Sequence, residues 1–414
     1  MSRRRKPVIR SLQALRGIAF LMVFLSHSHL SLQGGAWGVS VFFVLSGFLM
    51  YYQYEDQEFS VSIPENIYFA VSRLKKIYPL HLTMFAISIP FEVGRSLQNG
   101  TNGLSWYYLK VLFGVTLTES WHPSFWIYGA FNGVAWFLST CMFLYFCFPY
   151  LQKMAKRVSG GSPVSIASKK AAVKSTDKMP SKFSTMVMII VIMMVIWLLQ
   201  VLWIWLTRNV AFETYPDINY WLAYTFPPTR LGDFAVGVFA GALYSRVVFE
   251  TREQGTQVEE GITSIAITSE TVLFTALELA TIAVTFTSFR FYVSQRMIQS
   301  YNWFRYAALW VPSAVVMILL FAVKKGVITS ILDRKPLVWL GNISQYTYLV
   351  HSIVILYIRD VAESFFRKLG IDMKPESLRF NLLTGAISFL ITILGALLYR
   401  QLQTAIRNKK NEQQ

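Results

Sequence analysis

The chain has 414 residues, of which 54% are hydrophobic, 16% aromatic and only 15% charged. Soluble globular chains carry nearer a quarter charged residues, so this composition excludes a soluble enzyme and points to a polytopic membrane protein. The net charge of +17 fits positive loops retained in the cytoplasm, and nucleic-acid binding is set aside.

In chain order, apolar runs predict membrane-spanning helices over 12–32, 36–53, 77–96, 131–152, 183–206, 229–246, 269–287, 305–323, 338–358 and 381–402. Ten spans put both termini on one side, read as cytoplasmic. The segment 104–121 is read as an interfacial or re-entrant helix. As an eleventh span it would place Lys153, Lys156, Arg157, Lys169, Lys170, Lys174, Lys178 and Lys182 outside, against the positive-inside bias. The expected fold is therefore all-α: one membrane domain, 1–414, of about ten transmembrane helices. Residues 158–181 read as a flexible cytoplasmic linker and 247–268, with Glu250, Glu253, Glu259 and Glu260, as a solvated connection.

The first span, LQALRGIAFLMVFLSHSHL, carries Arg16 and His27 eleven residues apart. Eleven helical residues advance about 16 Å and turn about 1100°, so the two side chains share nearly one face. Ionisable groups in hydrocarbon are costly and mark function, and a histidine exchanges protons near neutral pH. His29 faces another way on a helix; it, His81 and His122 read foremost as packing contacts. The basic start MSRRRKPVIR followed by this run reads as a retained signal anchor. Cys141 and Cys147 lie on different helix faces and make neither a disulfide nor a metal site.

After the second span comes Arg73-Leu74-Lys75-Lys76-Ile77-Tyr78-Pro79-Leu80-His81. Cations three apart on a helix face can grip phosphate oxygens, or form a basic stop at the membrane surface. Further on, Asp233 beside Arg230 and Glu278 are intramembrane acids, each an acid–base partner or a polar tie between helices. Gly34, Gly35, Gly38 and Ser46-Gly47 permit close helix contacts or a distorted hairpin. No internal repeat of the kind many transporters carry is visible.

Six segments in order resemble the acyltransferase 3 family of integral-membrane acyltransferases. They are the Arg16–His27 pair, GVSVFFVLSGFL (Gly38 to Leu49), RLKKIYPLH (Arg73 to His81) and NGVAWFLSTCMFLYFCFPY (Asn132 to Tyr150). PPTRLGDFAVGVFAG (Pro227 to Gly241) and LGNISQYTYLVH (Leu340 to His351) complete the set. The resemblance implies a ten-helix domain that takes an acyl group, usually acetyl, from cytoplasmic acyl-coenzyme A to a hydroxyl of a cell-envelope or exported glycan. It implies that Arg16 and His27 are the essential pair and that Arg73 and Lys76 contact the coenzyme A phosphates; Lys75 beside them is expected to join in holding the phosphates. Lys76 replaces an arginine and loses bidentate geometry while keeping the charge. Thr140 stands where many relatives carry glutamate. Some relatives append an extracytoplasmic SGNH domain. This chain ends at Gln414 without one, so either the membrane domain acylates the acceptor or a separate extracytoplasmic transferase does.

The expected mechanism uses acetyl-CoA as donor, with no metal. His27 acts as general base on the acceptor hydroxyl or as transient acyl carrier, Arg16 guides the donor, and Asp233, Glu278 and His351 are candidate polar partners. Membrane lipid and the glycan acceptor are the expected partners, and the loop aromatics Trp121, Trp126, Tyr128, Tyr215, Tyr220 and Trp221 either stack on sugar or mark the interface. A glycan or lipid-linked sugar transporter or exporter, and a scaffold for a glycan synthase, remain open alternatives.

Overall fold

The computed structural model of the chain describes residues 6–30, 34–98, 100–160, 181–253, 268–294, 307–371 and 373–412. Most of both predicted connections, 158–181 and 247–268, lies outside the described residues. The described chain is helical, and its one β-type pairing is an isolated bridge between Phe212 and Tyr215. The long helices are α1 (Arg10–His27), α2 (Gly35–Tyr54), α3 (Ile63–Leu74), α4 (Tyr78–Gln98), α5 (Gly100–Thr116), α6 (Trp136–Ser159) and α7 (Lys182–Thr207). They continue with α8 (Pro227–Glu253), α9 (Ser269–Ser294), α10 (Val311–Val323), the short α11 (Val327–Leu332), α12 (Lys335–Lys368) and α13 (Leu378–Glu412).

Two close parallel crossings form the centre. Along α1 and α12, Gly341 lies on the carbonyl of Gln13, and a Cβ at Gly17 would press on Leu337 and Gly341 backbone. Along α2 and α8, Gly237 lies against the carbonyl of Val44 and Gly47 against that of Phe234. Helices without side-chain bulk at the contact gain van der Waals packing over their backbones, which replaces the hydrophobic drive absent in lipid. The expectation from Gly38 and Gly47 is met, since Gly38 faces the Ala19 carbonyl of α1.

Around this centre the helices change character. Of the most apolar stretch of α2, 78% is buried, against 17% for α7 and 11% for the described part of α9. α7 and α9 present Leu199, Leu202, Leu206, Leu279, Val284 and Phe286 outward, a surface suited to hydrocarbon rather than water. Among the described residues, five helices are long and apolar enough to cross a membrane: Gly35–Tyr54, Gly133–Ser159, Lys182–Thr207, Ser269–Arg290 and Leu378–Ile406. The other predicted spans also fold as helices, but they are shorter or more polar; α10 covers only 13 residues.

The first predicted span, 12–32, is longer than the helix observed. α1 stops at His27, where Ser28 donates its hydroxyl to the Phe24 carbonyl and His29 takes a positive φ of 57°. Thus His27 ends its helix instead of lying within it. The predicted 104–121 element is α5, packed lengthwise on α4: Lys110 meets Glu92, and the His81 ring meets the Gly114 carbonyl. From there the chain doubles back, and the Phe131 amide donates to Glu92.

Candidate functional site

His27 is held on one edge of its ring. Its Nδ1 lies 2.9 Å from the Val23 carbonyl one turn earlier and 3.3 Å from Nε2 of His351. His351, buried in α12, has its own Nδ1 2.7 Å from the Tyr348 carbonyl. Carbonyl oxygens only accept, so each Nδ1 must carry a proton. In the neutral pair, Nε2 of His351 is then an acceptor, and Nε2 of His27 carries a free lone pair. Among the described residues that nitrogen makes no hydrogen bond, and the His27 ring is exposed.

It is exposed into a cavity of about 460 Å³. The walls include Phe91 and Arg95 of α4, Gly129, Phe131 and Gly133 of the returning segment, and Ser352, Arg359, Asp360 and Glu363 of α12. His29, Pro375 and Phe380 complete the rim. The rim is tied together: Arg359 donates to Asn381 Oδ1 at 2.6 Å, and Asn381 Nδ2 donates to the His29 carbonyl at 3.2 Å. Next to Arg95 of the wall, buried Glu92 accepts from Lys110 at 2.7 Å and pairs with Arg95. A base opening on a polar, aromatic-lined cavity can deprotonate a bound hydroxyl.

The other predicted residues are distributed differently. Arg16 keeps the expected face of α1, but about 16 Å of helix rise separates it from His27, so the two do not meet over one reacting atom. Its guanidinium lies 3.4 Å from Gln13 Oε1. Among the described residues it forms no ion pair. Arg73, Lys75 and Lys76 are exposed at the turn between α3 and α4. Arg73 donates to the Tyr54 hydroxyl at the end of α2, and Lys75 and Lys76 have no acidic partner among the described residues. This triplet sits at the Arg10 end of the bundle. From Tyr78, α4 needs thirteen residues, about 20 Å, to reach Phe91 at the cavity.

Asp233 and Glu278 do not line the cavity beside His27 and bond instead to neighbouring helices. Asp233 accepts from Arg230 at 2.9 Å and from Gln200 of α7 at 2.5 Å, all fully or nearly buried. Arg230 also reaches the Tyr224 carbonyl and Ser40. Glu278 of α9 caps α11: its carboxylate accepts from the amides of Ile328 and Thr329 and from the Thr329 hydroxyl. A carboxylate at a helix N-terminus satisfies orphan donors and the dipole. His81 is likewise buried, against the Gly114 carbonyl.

Residue-by-residue reading missed Glu92, Arg95, Arg359 and Asn381, ordinary polar residues whose partners lie in other helices. It also missed Glu119, in the turn between α5 and α6. That carboxyl is 3% exposed with neither oxygen hydrogen-bonded among the described residues, and burial pushes its pKa up to about 8. Among the described residues no cluster of three His, Cys, Asp or Glu side chains suits a metal ion.

Residues 9–400 match the profile of the acyltransferase 3 family, described as an acyltransferase domain. The chain belongs to that family. It is also similar to the acyltransferase MdmB of Streptomyces mycarofaciens, 32% identical over 166 residues. That match covers 36% of this chain and 40% of the relative, so the chain spans well under half the length of the curated protein it resembles. No solved structure matches significantly. Among the described residues of the site, His27 both lines the cavity and meets a second, buried histidine.

Proposed function

We propose that this acyltransferase is a multi-pass membrane enzyme of about ten spans with cytoplasmic termini. It moves an acyl group, acetyl foremost, from acyl-coenzyme A to a hydroxyl of a cell-envelope or exported glycan. The observation that carries this reading is the free Nε2 of His27 opening on a polar cavity at the end of α1 away from the basic triplet. Arg73, Lys75 and Lys76 offer the donor's phosphates three exposed cations at the cytoplasmic mouth, and Arg16 lies between that mouth and His27, where it can steer the acyl arm.

In the transfer step Nε2 of His27 takes the hydroxyl proton as the oxygen attacks the thioester carbonyl. The C–O bond forms, the C–S bond breaks, and the thiolate leaves and recovers the proton from the imidazolium. The ester and the free thiol are the products. The test is transfer from labelled acetyl-CoA in membranes bearing the host's glycans, for wild type and His27→Ala. Loss of transfer in the folded variant supports the reading. Equal turnover removes His27 as base, and absence of CoA binding in both proteins returns the exporter to the front.

A further inference from the structure

Nothing so far requires His351 to act on the reaction, yet its placement is specific. We infer that His351 is a positioning residue for His27: its Nε2 accepts from His27 Nδ1–H, holds the ring with Nε2 toward the cavity, and stabilises the imidazolium formed when His27 takes a proton. This rests on His27 being the base.

Three observations support it. His27 is the last residue of α1, with the chain already turning away at Ser28 and His29, so its own helix constrains the ring on one side only. The Val23 carbonyl fixes which nitrogen carries the proton but comes from that same turn; His351 Nε2, at 3.3 Å, takes the second branch of the same N–H from another helix, α12. Finally, His351 is itself immobilised, by its bond to the Tyr348 carbonyl and by edge-on packing against Phe20 at 5.9 Å between ring centres. A buried group with one nitrogen donated to a carbonyl presents the other as an acceptor of fixed direction. That is how outer partners orient a working imidazole.

Acceptor and packing roles separate by substitution. His351→Gln keeps an acceptor oxygen near the Nε2 position but loses the ring; His351→Phe keeps the ring against Phe20 and loses the acceptor. kcat and KM for transfer from labelled acetyl-CoA are measured per folded enzyme, beside His27→Ala. A positioning role predicts that Gln retains kcat within about threefold while Phe loses about 10–100-fold at unchanged KM. Phe equal to or better than Gln overturns the inference and leaves packing alone. If His27→Ala retains activity, the base assignment falls instead, which separates the two failures. Independently of any variant, nitrogen-15 NMR of histidine-labelled wild type detects coupling across the His27 Nδ1–H···Nε2 His351 bond. Its absence in the folded protein overturns the inference.

Discussion

Arg230 with Asp233, and His27 with His351, both set ionisable side chains between tightly packed helices, yet they do opposite things. In the first pair each group is enclosed and bonded on several sides, to Gln200, Ser40 and the Tyr224 carbonyl. No face is left over for a ligand. In the second pair every nitrogen but Nε2 of His27 is hydrogen-bonded among the described residues, and the His27 ring lines the cavity. Burial alone therefore says little about function in this bundle. The informative quantity is whether a polar atom is left with an open direction. A buried, fully bonded charge pair ties helices together, and losing one partner is costly because the other is stranded.

The sharpest way to break this comparison is His27→Ala. It removes the open lone pair without stranding a charge, so acyl transfer falls by about 10²–10⁴-fold while the thermal midpoint barely moves. Asp233→Ala is its mirror image: the stranded Arg230 costs about 3–5 kcal/mol, read as a large drop in thermal midpoint in detergent. Turnover per folded molecule stays near wild type. A variant of Asp233 that kept its stability and lost turnover would dissolve the distinction.

Glu119 supplies a third kind of buried group, enclosed and with neither carboxyl oxygen bonded to another residue among the described residues. Its folded pKa of about 8 lies above the ordinary carboxyl value, so the folded state holds the proton more tightly than the unfolded chain. Stability from this site is fully present below about pH 4 and is lost as pH rises through about 8. Glu119→Gln is expected to flatten that decline, by a few kcal/mol at pH 9, seen by comparing thermal midpoints of both proteins from pH 5 to 9. Smallest is Glu278→Ala, which uncaps α11 and costs about 1–2 kcal/mol with turnover per folded molecule unchanged. Loss of turnover there would restore Glu278 as a chemical residue.

Much of the fold was legible along the chain. Hydropathy located the helices, because a segment in hydrocarbon must satisfy its own backbone and bury no water-loving side chains. The Arg16–His27 spacing gave their shared face, since helical rotation is a local property. The end of α1 was not legible, because the Ser28 back-bond and the positive φ of His29 are local turns masked by an apolar run. Nor could the roles of Asp233 and Glu278 be separated from catalysis, as both read simply as acids in apolar surroundings.

The sequence by itself determined an all-helical chain rich in apolar spans, the membership signalled by its ordered motifs, and His27 as the residue to watch. The folding of distant segments is what brings His351, 324 residues away, against His27, bonds Asp233 and Glu278 to neighbouring helices, and makes α4, α12 and α13 line one cavity. Helix formation follows from neighbours in the chain, whereas hydrogen bonds between helices depend on which faces the packing brings together.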